Sequence, residues 1–210
     1  MRLSILFLGA ALASIGCGAG APPPKTPSAV DAPGGSIAAT PTIWVTPDLG
    51  SPHPGDAAPD FELVDQDGKT QRLSSYRGQL VVLTFMSGFC PFSRAEQPNL
   101  KKLAEDYAGK DVKVLDVLIQ EGEADYATYM SSMPMPFPIM RDTTGQVGAS
   151  YSPPKAIPEV KGVPVVSTSN LIIDREGKIR FFTLVDIKQF DEKLVHLRRA
   201  LDKLLSEKGG

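Results

Sequence analysis

The sequence predicts an α/β fold, a sheet with helices packed on it, and two observations predict it. Short apolar runs of strand character alternate with segments of helical periodicity between residues 57 and 207. The series then closes with a second hairpin and a final helix, the pattern of a layered α/β domain.

The elements follow in order. Phe61-Glu62-Leu63-Val64 and Thr70-Gln71-Arg72-Leu73 flank Asp65-Gln66-Asp67-Gly68 and predict an N-terminal β-hairpin around an Asp-Gly turn. Leu80 to Met86 is a buried strand, with hardly a polar residue to spare for solvent. After Cys90, the residues Leu100, Leu103, Ala104 and Tyr107 recur at the i, i+3, i+4, i+7 spacing of one buried helix face. Val112 to Ile119 is a second apolar strand, Glu123 to Ser132 a short helix, and Gly145 to Tyr151 a helical turn. Leu171-Ile172-Ile173 and Ile179 to Val185 read as strands joined at Asp174-Arg175-Glu176-Gly177. The last helix is expected to align Phe190, Leu194, Leu197, Leu201 and Leu204 on one side, with Lys193, Arg198 and Arg199 outside.

What precedes residue 57 has a different character. Residues 1–16 read as a signal peptide: Met1-Arg2 is a basic start, and Leu3 to Ile15 is apolar but short for a bilayer span. Ser14-Ile15-Gly16-Cys17 resembles the lipobox of bacterial lipoproteins, with Ser14 departing from the usual Leu; the expectation is lipid on Cys17. An ordinary secretory signal with an incidental cysteine is the other reading. Residues 17–56 hold much of the chain's proline, as in Ala21-Pro22-Pro23-Pro24, and read as a semi-extended tether. At ~3.1 Å per residue it would reach on the order of 100 Å. Trp44 either docks on the domain or stays loosely packed in the tether. The expected location is therefore outside the cytoplasm, on a bacterial cell envelope, held to a membrane through lipid.

The chain has 210 residues and a formal net charge of −2, a balance that offers no attraction to nucleic acid. It carries two cysteines, Cys17 and Cys90. If Cys17 carries lipid, no second cysteine remains to close a disulfide with Cys90. Cys90 falls where a strand turns into a helix, so the backbone N–H groups of the helix start favour its thiolate. The effect is bounded: a helix terminus supplies ~0.3–1 kcal/mol, less than the ~1.4 kcal/mol of one pKa unit. Ser93, one turn on, offers a hydroxyl on the same side.

Four passages then carry a resemblance: Ala58-Pro59-Asp60-Phe61 with its hairpin, Leu73 to Gly78, Phe89 to Pro98, and Ile172 to Ile179. Together, from Gly55 to Leu205, they resemble the redoxin branch of thioredoxin-fold proteins. That branch includes alkyl-hydroperoxide-reductase/thiol-specific-antioxidant proteins and membrane-anchored thiol-disulfide reductases. The resemblance implies a thioredoxin-like fold with a central mixed sheet, and a reactive thiol at the start of its first main helix. Such reductases carry Trp-Cys-x-x-Cys, then a basic residue, x, Glu, x, Pro. Here Phe89 stands for the Trp, Cys90 for the first Cys and Ser93 for the second, while Arg94, Glu96 and Pro98 match. Cys90 can attack a disulfide, but Ser93 cannot resolve the mixed disulfide formed. Thr84 stands at the strand position where thioredoxins keep a buried carboxylate, which predicts that the usual proton acceptor is missing. Glu96 is expected to cap the helix or pair locally with Arg94 or Lys101.

The expected chemistry is thus a single-cysteine thiol-disulfide exchange at Cys90 and Ser93, with Phe89, Pro91 and Pro164 contacting substrate and an external thiol or protein disulfide as partner. No cofactor and no metal is called for. Pro164, in Gly162-Val163-Pro164, is either the family's substrate-facing proline or a proline in a surface loop; the reductase spacing puts Thr168 there instead. One-Cys peroxide reduction is the runner-up. Ser87 fits the peroxidase hydroxyl position, but Leu83 replaces the proline, and only Lys155 and Lys161 stand where an Arg is needed. The third reading is a redoxin scaffold that binds a partner, or Cu(I) through Met130, Met133, Met135 and Met140. His53 and His196 are too remote in sequence from Cys90 to suggest a Cys-His dyad.

Overall fold

The structure, a computed structural model, describes residues 52–119, 122–132, 134–153, 169–184 and 190–207, all within the unit that spans 39–210. Cys17, Trp44, most of the tether, and Pro164 lie outside the described residues.

Among the described residues, seven strands and four α-helices follow one another. A hairpin of β1 (Glu62–Val64) and β2 (Thr70–Arg72) opens the order. Then come β3 (Leu80–Met86), α1 (Pro91–Asp106), β4 (Val112–Ile119), α2 (Glu123–Ser132), β5 (Ile139–Asp142) and α3 (Gln146–Ser150). The antiparallel pair β6 (Ser169–Ile173) and β7 (Ile179–Leu184) and the helix α4 (Val195–Ser206) complete it. The main sheet is mixed, in the order β5-β4-β3-β6-β7, with β3–β4 and β4–β5 parallel and β3–β6 and β6–β7 antiparallel.

β3 is the central strand and all seven of its residues are buried, because both faces of the sheet are covered. Side chains alternate between faces with period two. Leu80, Val82 and Met86 join the core beneath α1, α2 and α4, with Leu100, Leu103, Tyr129, Leu197, Leu201 and Leu204. Val81, Leu83 and Phe85 point the other way, into a second core with Ala58, Phe61, Leu73 and Tyr151. Leu83 sits between Leu115 and Leu171 in register and is fully buried. Leu83→Ala is expected to cost about 2–5 kcal/mol, the range for deleting a well-packed core side chain. The urea midpoint reads it, and a loss under ~1 kcal/mol would contradict this packing.

The segment leading into the hairpin runs across that second core. Gly55 and Asp56 exchange backbone hydrogen bonds with Ile179 at 2.8 and 2.9 Å, and Ala57 bridges Lys178 beside β7. Asp65, at the other end, bridges Met140 on β5.

The last helix begins later than its apolar spacing predicts. Leu194 takes a left-handed backbone at φ 56°, and the helix starts at Val195. The Asp191 carboxylate accepts from the N–H groups of Val195 and His196 at 2.8 and 2.7 Å, so it supplies the cap that ends the lead-in. Phe190 therefore lies ahead of the helix. Lys193 is exposed as expected, but Arg198 pairs with Asp106 of α1 at 2.8 Å.

Candidate active site

Chain geometry at the end of β3 positions the cysteine. The turn after Met86 is closed by the Cys90 N–H donating to the Ser87 carbonyl at 3.0 Å. Cys90 then takes the extended N-cap conformation, φ −75° and ψ 119°, and its carbonyl accepts from the Arg94 N–H at 3.1 Å. Pro91 occupies the first helical position, where its fixed φ suits the helix and no N–H is needed. The half-buried Cys90 thus stands at the N-terminus of a 16-residue helix, where the sequence predicted it.

The neighbours divide into a rim and a floor. Phe89 is 79% exposed, an unusual placement for an aromatic side chain beside a thiol. Phe92 packs edge-to-face on Phe190 with ring centroids 5.2 Å apart, so the lead-in to α4 closes against the start of α1. Ser93, one turn in from Cys90, is buried on the side of the helix that faces the sheet.

The floor departs from expectation at two residues. Glu96 makes no local pair with Arg94 or Lys101: it is buried on the inner face of α1, and its Oε1 accepts from the Asn170 amide on β6 at 2.6 Å. The reason is helical phase, because Ser93, Glu96, Gln97 and Leu100 follow one inward stripe. Thr84, for its part, does not leave the site without a buried acid. Its hydroxyl donates at 2.6 Å to the carboxylate of Asp116, the residue beside it on β4, and Asp116 is fully buried. Gln97 reaches the other oxygen of Asp116 at 3.5 Å, and also donates to the Met86 sulfur at 2.7 Å.

The charge states follow from this enclosure. Burial pushes Glu96 up to about 8; the Asn170 hydrogen bond opposes the rise, while the charges of Asp116 and Asp191 add to it. Burial likewise pushes Asp116 up to about 7 against the opposing hydrogen bonds of Thr84 and Gln97. Both carboxyls are thus raised toward neutrality by the same cause, burial under α1. The sequence signal for Asp116 was an acid in the middle of the apolar run Val112–Ile119, which a search centred on the cysteine passes over.

Other expected residues do not converge on Cys90. Met130 and Met135 pack against the helix-side core, whereas Met140 is buried in the opposite face of the sheet, so the sheet separates these thioethers. His53 pairs with Asp56 at 2.5 Å near the start of the described chain. Among the described residues no three His, Cys, Asp or Glu side chains gather as a metal site. A surface groove of about 520 Å³ lies along β1, lined by Val64, Gln66, Tyr126 and Arg141 among others, and none of the Cys90 neighbours lines it.

Comparison with known proteins gives the same fold. Residues 54–182 match the AhpC/TSA family. The thiol-disulfide oxidoreductase ResA of Geobacillus thermodenitrificans is 31% identical over 145 residues, covering 67% of this chain and 77% of its own length. An exposed lipoprotein thioredoxin of Streptococcus pneumoniae superposes with a TM-score of 0.53 at 28% identity, covering 69% of this chain and 99% of that one. The peroxidoxin BcpB of Mycobacterium tuberculosis superposes with a TM-score of 0.58 at 23% identity, over 74% of this chain and 98% of its own, a likeness of fold alone. Among the described residues, no helix is long and apolar enough to cross a membrane.

Proposed function

Because the chain belongs to the AhpC/TSA family, we propose that it is a single-cysteine thiol-disulfide oxidoreductase acting through Cys90. The observation that carries this reading is the placement of Cys90 at the N-cap of α1, the helix whose inner face buries Ser93 and Glu96.

The Cys90 thiolate attacks one sulfur of a substrate disulfide, forming the Cys90–S–S–R bond and breaking the substrate's own. The departing thiolate needs a proton. Glu96 lies six residues along the helix, about 9 Å by helical rise, and its side chain leans back toward the N-terminus. A carboxyl pushed up to about 8 holds a proton under neutral conditions and is matched to a thiol as an acid. An external thiolate then attacks the mixed disulfide, regenerating Cys90 and carrying the R group away as a new disulfide. Exposed Phe89 and the adjacent Pro91 give an extended or apolar substrate a surface to lie on. Export and lipid attachment at Cys17 place the domain on the cell envelope, in a compartment where disulfides persist.

The test is to mix the reduced protein with a model disulfide and follow Cys90 by intact mass. One adduct per chain is expected, removed by added thiol, with a rate that rises with pH through a Cys90 midpoint below the ordinary ~8.5. A midpoint at or above that value with no adduct would leave Cys90 an inert scaffold residue. Oxidation by peroxide at least ~10³ times faster than free cysteine would assign the protein to peroxide reduction instead.

A further inference from the structure

The polar residues under α1 form a row. Asp116 on β4, Thr84 on β3 and Asn170 on β6 are partners in register, so their side chains leave the same face of the sheet. The rows to either side are apolar: Val82 with Val114 and Ile172, and Met86 with Leu118. Glu96 and Gln97 descend on this row from α1, one bonded to Asn170 and the other to Asp116.

We propose that Asp116 and Glu96 are a single proton-sharing unit, in which Asp116 is a positioning residue that keeps the proton on Glu96. This deepens the redox reading and takes its purpose from it, since the shared proton is the one supplied to the departing thiolate.

Hydrogen-bond supply supports the pairing. Asn170 spends an amide N–H on Glu96, and Gln97 spends its amide on Asp116 and Met86. The amide oxygens of both, Gln97 Oε1 and Asn170 Oδ1, are buried with no donor among the described residues. A buried acceptor without a donor costs about 1–3 kcal/mol, so two of them beside two carboxyls mark a shortage of protons. A protonated carboxyl is a donor; an ionised one is not. Ionising both acids would leave both amide oxygens wanting and set two like charges in one dry layer, so the layer favours one charge and one proton.

The remaining groups reinforce this. The neighbours acting on Glu96 through charge are both acids, Asp116 and Asp191 ahead of α4. From α2 the Tyr129 hydroxyl donates to the Met86 sulfur at 3.3 Å, the sulfur that Gln97 also reaches. From β3 and β6 come neutral Thr84 and Asn170, and from the start of α1 come Ser93 and the ionisable Cys90. Asp116 is the acid at the far end of the row from Glu96, and the one fully buried.

The experiment is a carboxyl-region ¹³C NMR titration of the full chain, wild type and Asp116→Asn. In the wild type the two acids should titrate in two separate steps, one of them near or above neutrality. In Asp116→Asn the Glu96 midpoint should fall by about one pH unit or more, the scale of coupled sites. An unmoved Glu96 midpoint, or joint ionisation of both acids below about pH 5, would overturn the inference. If the variant fails to fold, the wild type still decides: each carboxyl carbon should sense the other's titration as a biphasic curve, and single-step curves at both would overturn the inference. The readout is independent of Cys90 turnover. Absent coupling with a reactive Cys90 defeats the proton-sharing unit alone, while coupling with an inert Cys90 upholds the unit and defeats the redox reading.

Discussion

Ser93→Cys is expected to turn a mixed disulfide that waits for an external thiol into one that clears itself, at least ~10³-fold faster. The estimate rests on intramolecular attack, where well-placed groups act at effective concentrations far above any free thiol. Ser93 lies at the third helical position, one turn from Cys90, and is buried on the inner side of α1. Cysteine is close to serine in size and readily buried, so the fold should accept it. Stopped-flow release of a chromophoric thiol from the trapped adduct measures the gain, and Cys90→Ser in the same background should form no adduct. Equal release rates in Ser93→Cys and wild type would show that residue 93 cannot reach the Cys90 sulfur, and that the one-cysteine pattern is not a dithiol site lacking its second member.

The second large effect is on stability against pH. Glu96 is raised from 4.5 to about 8 in the folded chain, so between those values the folded state binds a proton that the unfolded state releases. Stability from this group is fully present below pH 4.5 and is lost as pH rises toward 8. Asp116 acts in the same direction, from 3.8 to about 7. Glu96→Gln mimics the neutral acid and can keep accepting from Asn170. The variant should match wild type near pH 4.5 and exceed it by about 2–4 kcal/mol near pH 8.5. Urea midpoints at the two pH values test this. Curves that run parallel would mean that Glu96 carries its charge in the folded state.

Legibility in the sequence tracked the kind of information each residue carries. β3, β4 and α2 emerge with the expected bounds because apolar runs and helical spacing report burial directly. The position of Cys90 was equally open, since a strand followed by a helix-starting proline fixes it locally. The start of α4 was not, because Leu194 continues the helical leucine spacing yet takes a left-handed backbone that its side chain type does not announce. What decided the point was Asp191 capping from outside the periodic stretch. Glu96 and Asp116 were harder still. They meet through the register of β4, β3 and β6, and no local pattern tells an acid on α1 which strand residue lies beneath it. Thr84 alone suggested a missing carboxylate, whereas the neighbouring strand supplies one at the same level.

The run from Gly55 to Asp65 is tied to β7 at its beginning and to β5 at its end, and Ala58 and Phe61 roof the core in between. One short girdle therefore holds both margins of the sheet. Trimming the chain from its front has a sharp limit for that reason: a cut ahead of Pro52 leaves these ties in place, whereas a cut beyond Asp65 bares two strand flanks and an oily underside together. A single nick inside Gly55–Asp65 would therefore damage the fold that carries the thiol, where a nick in an idle loop would not.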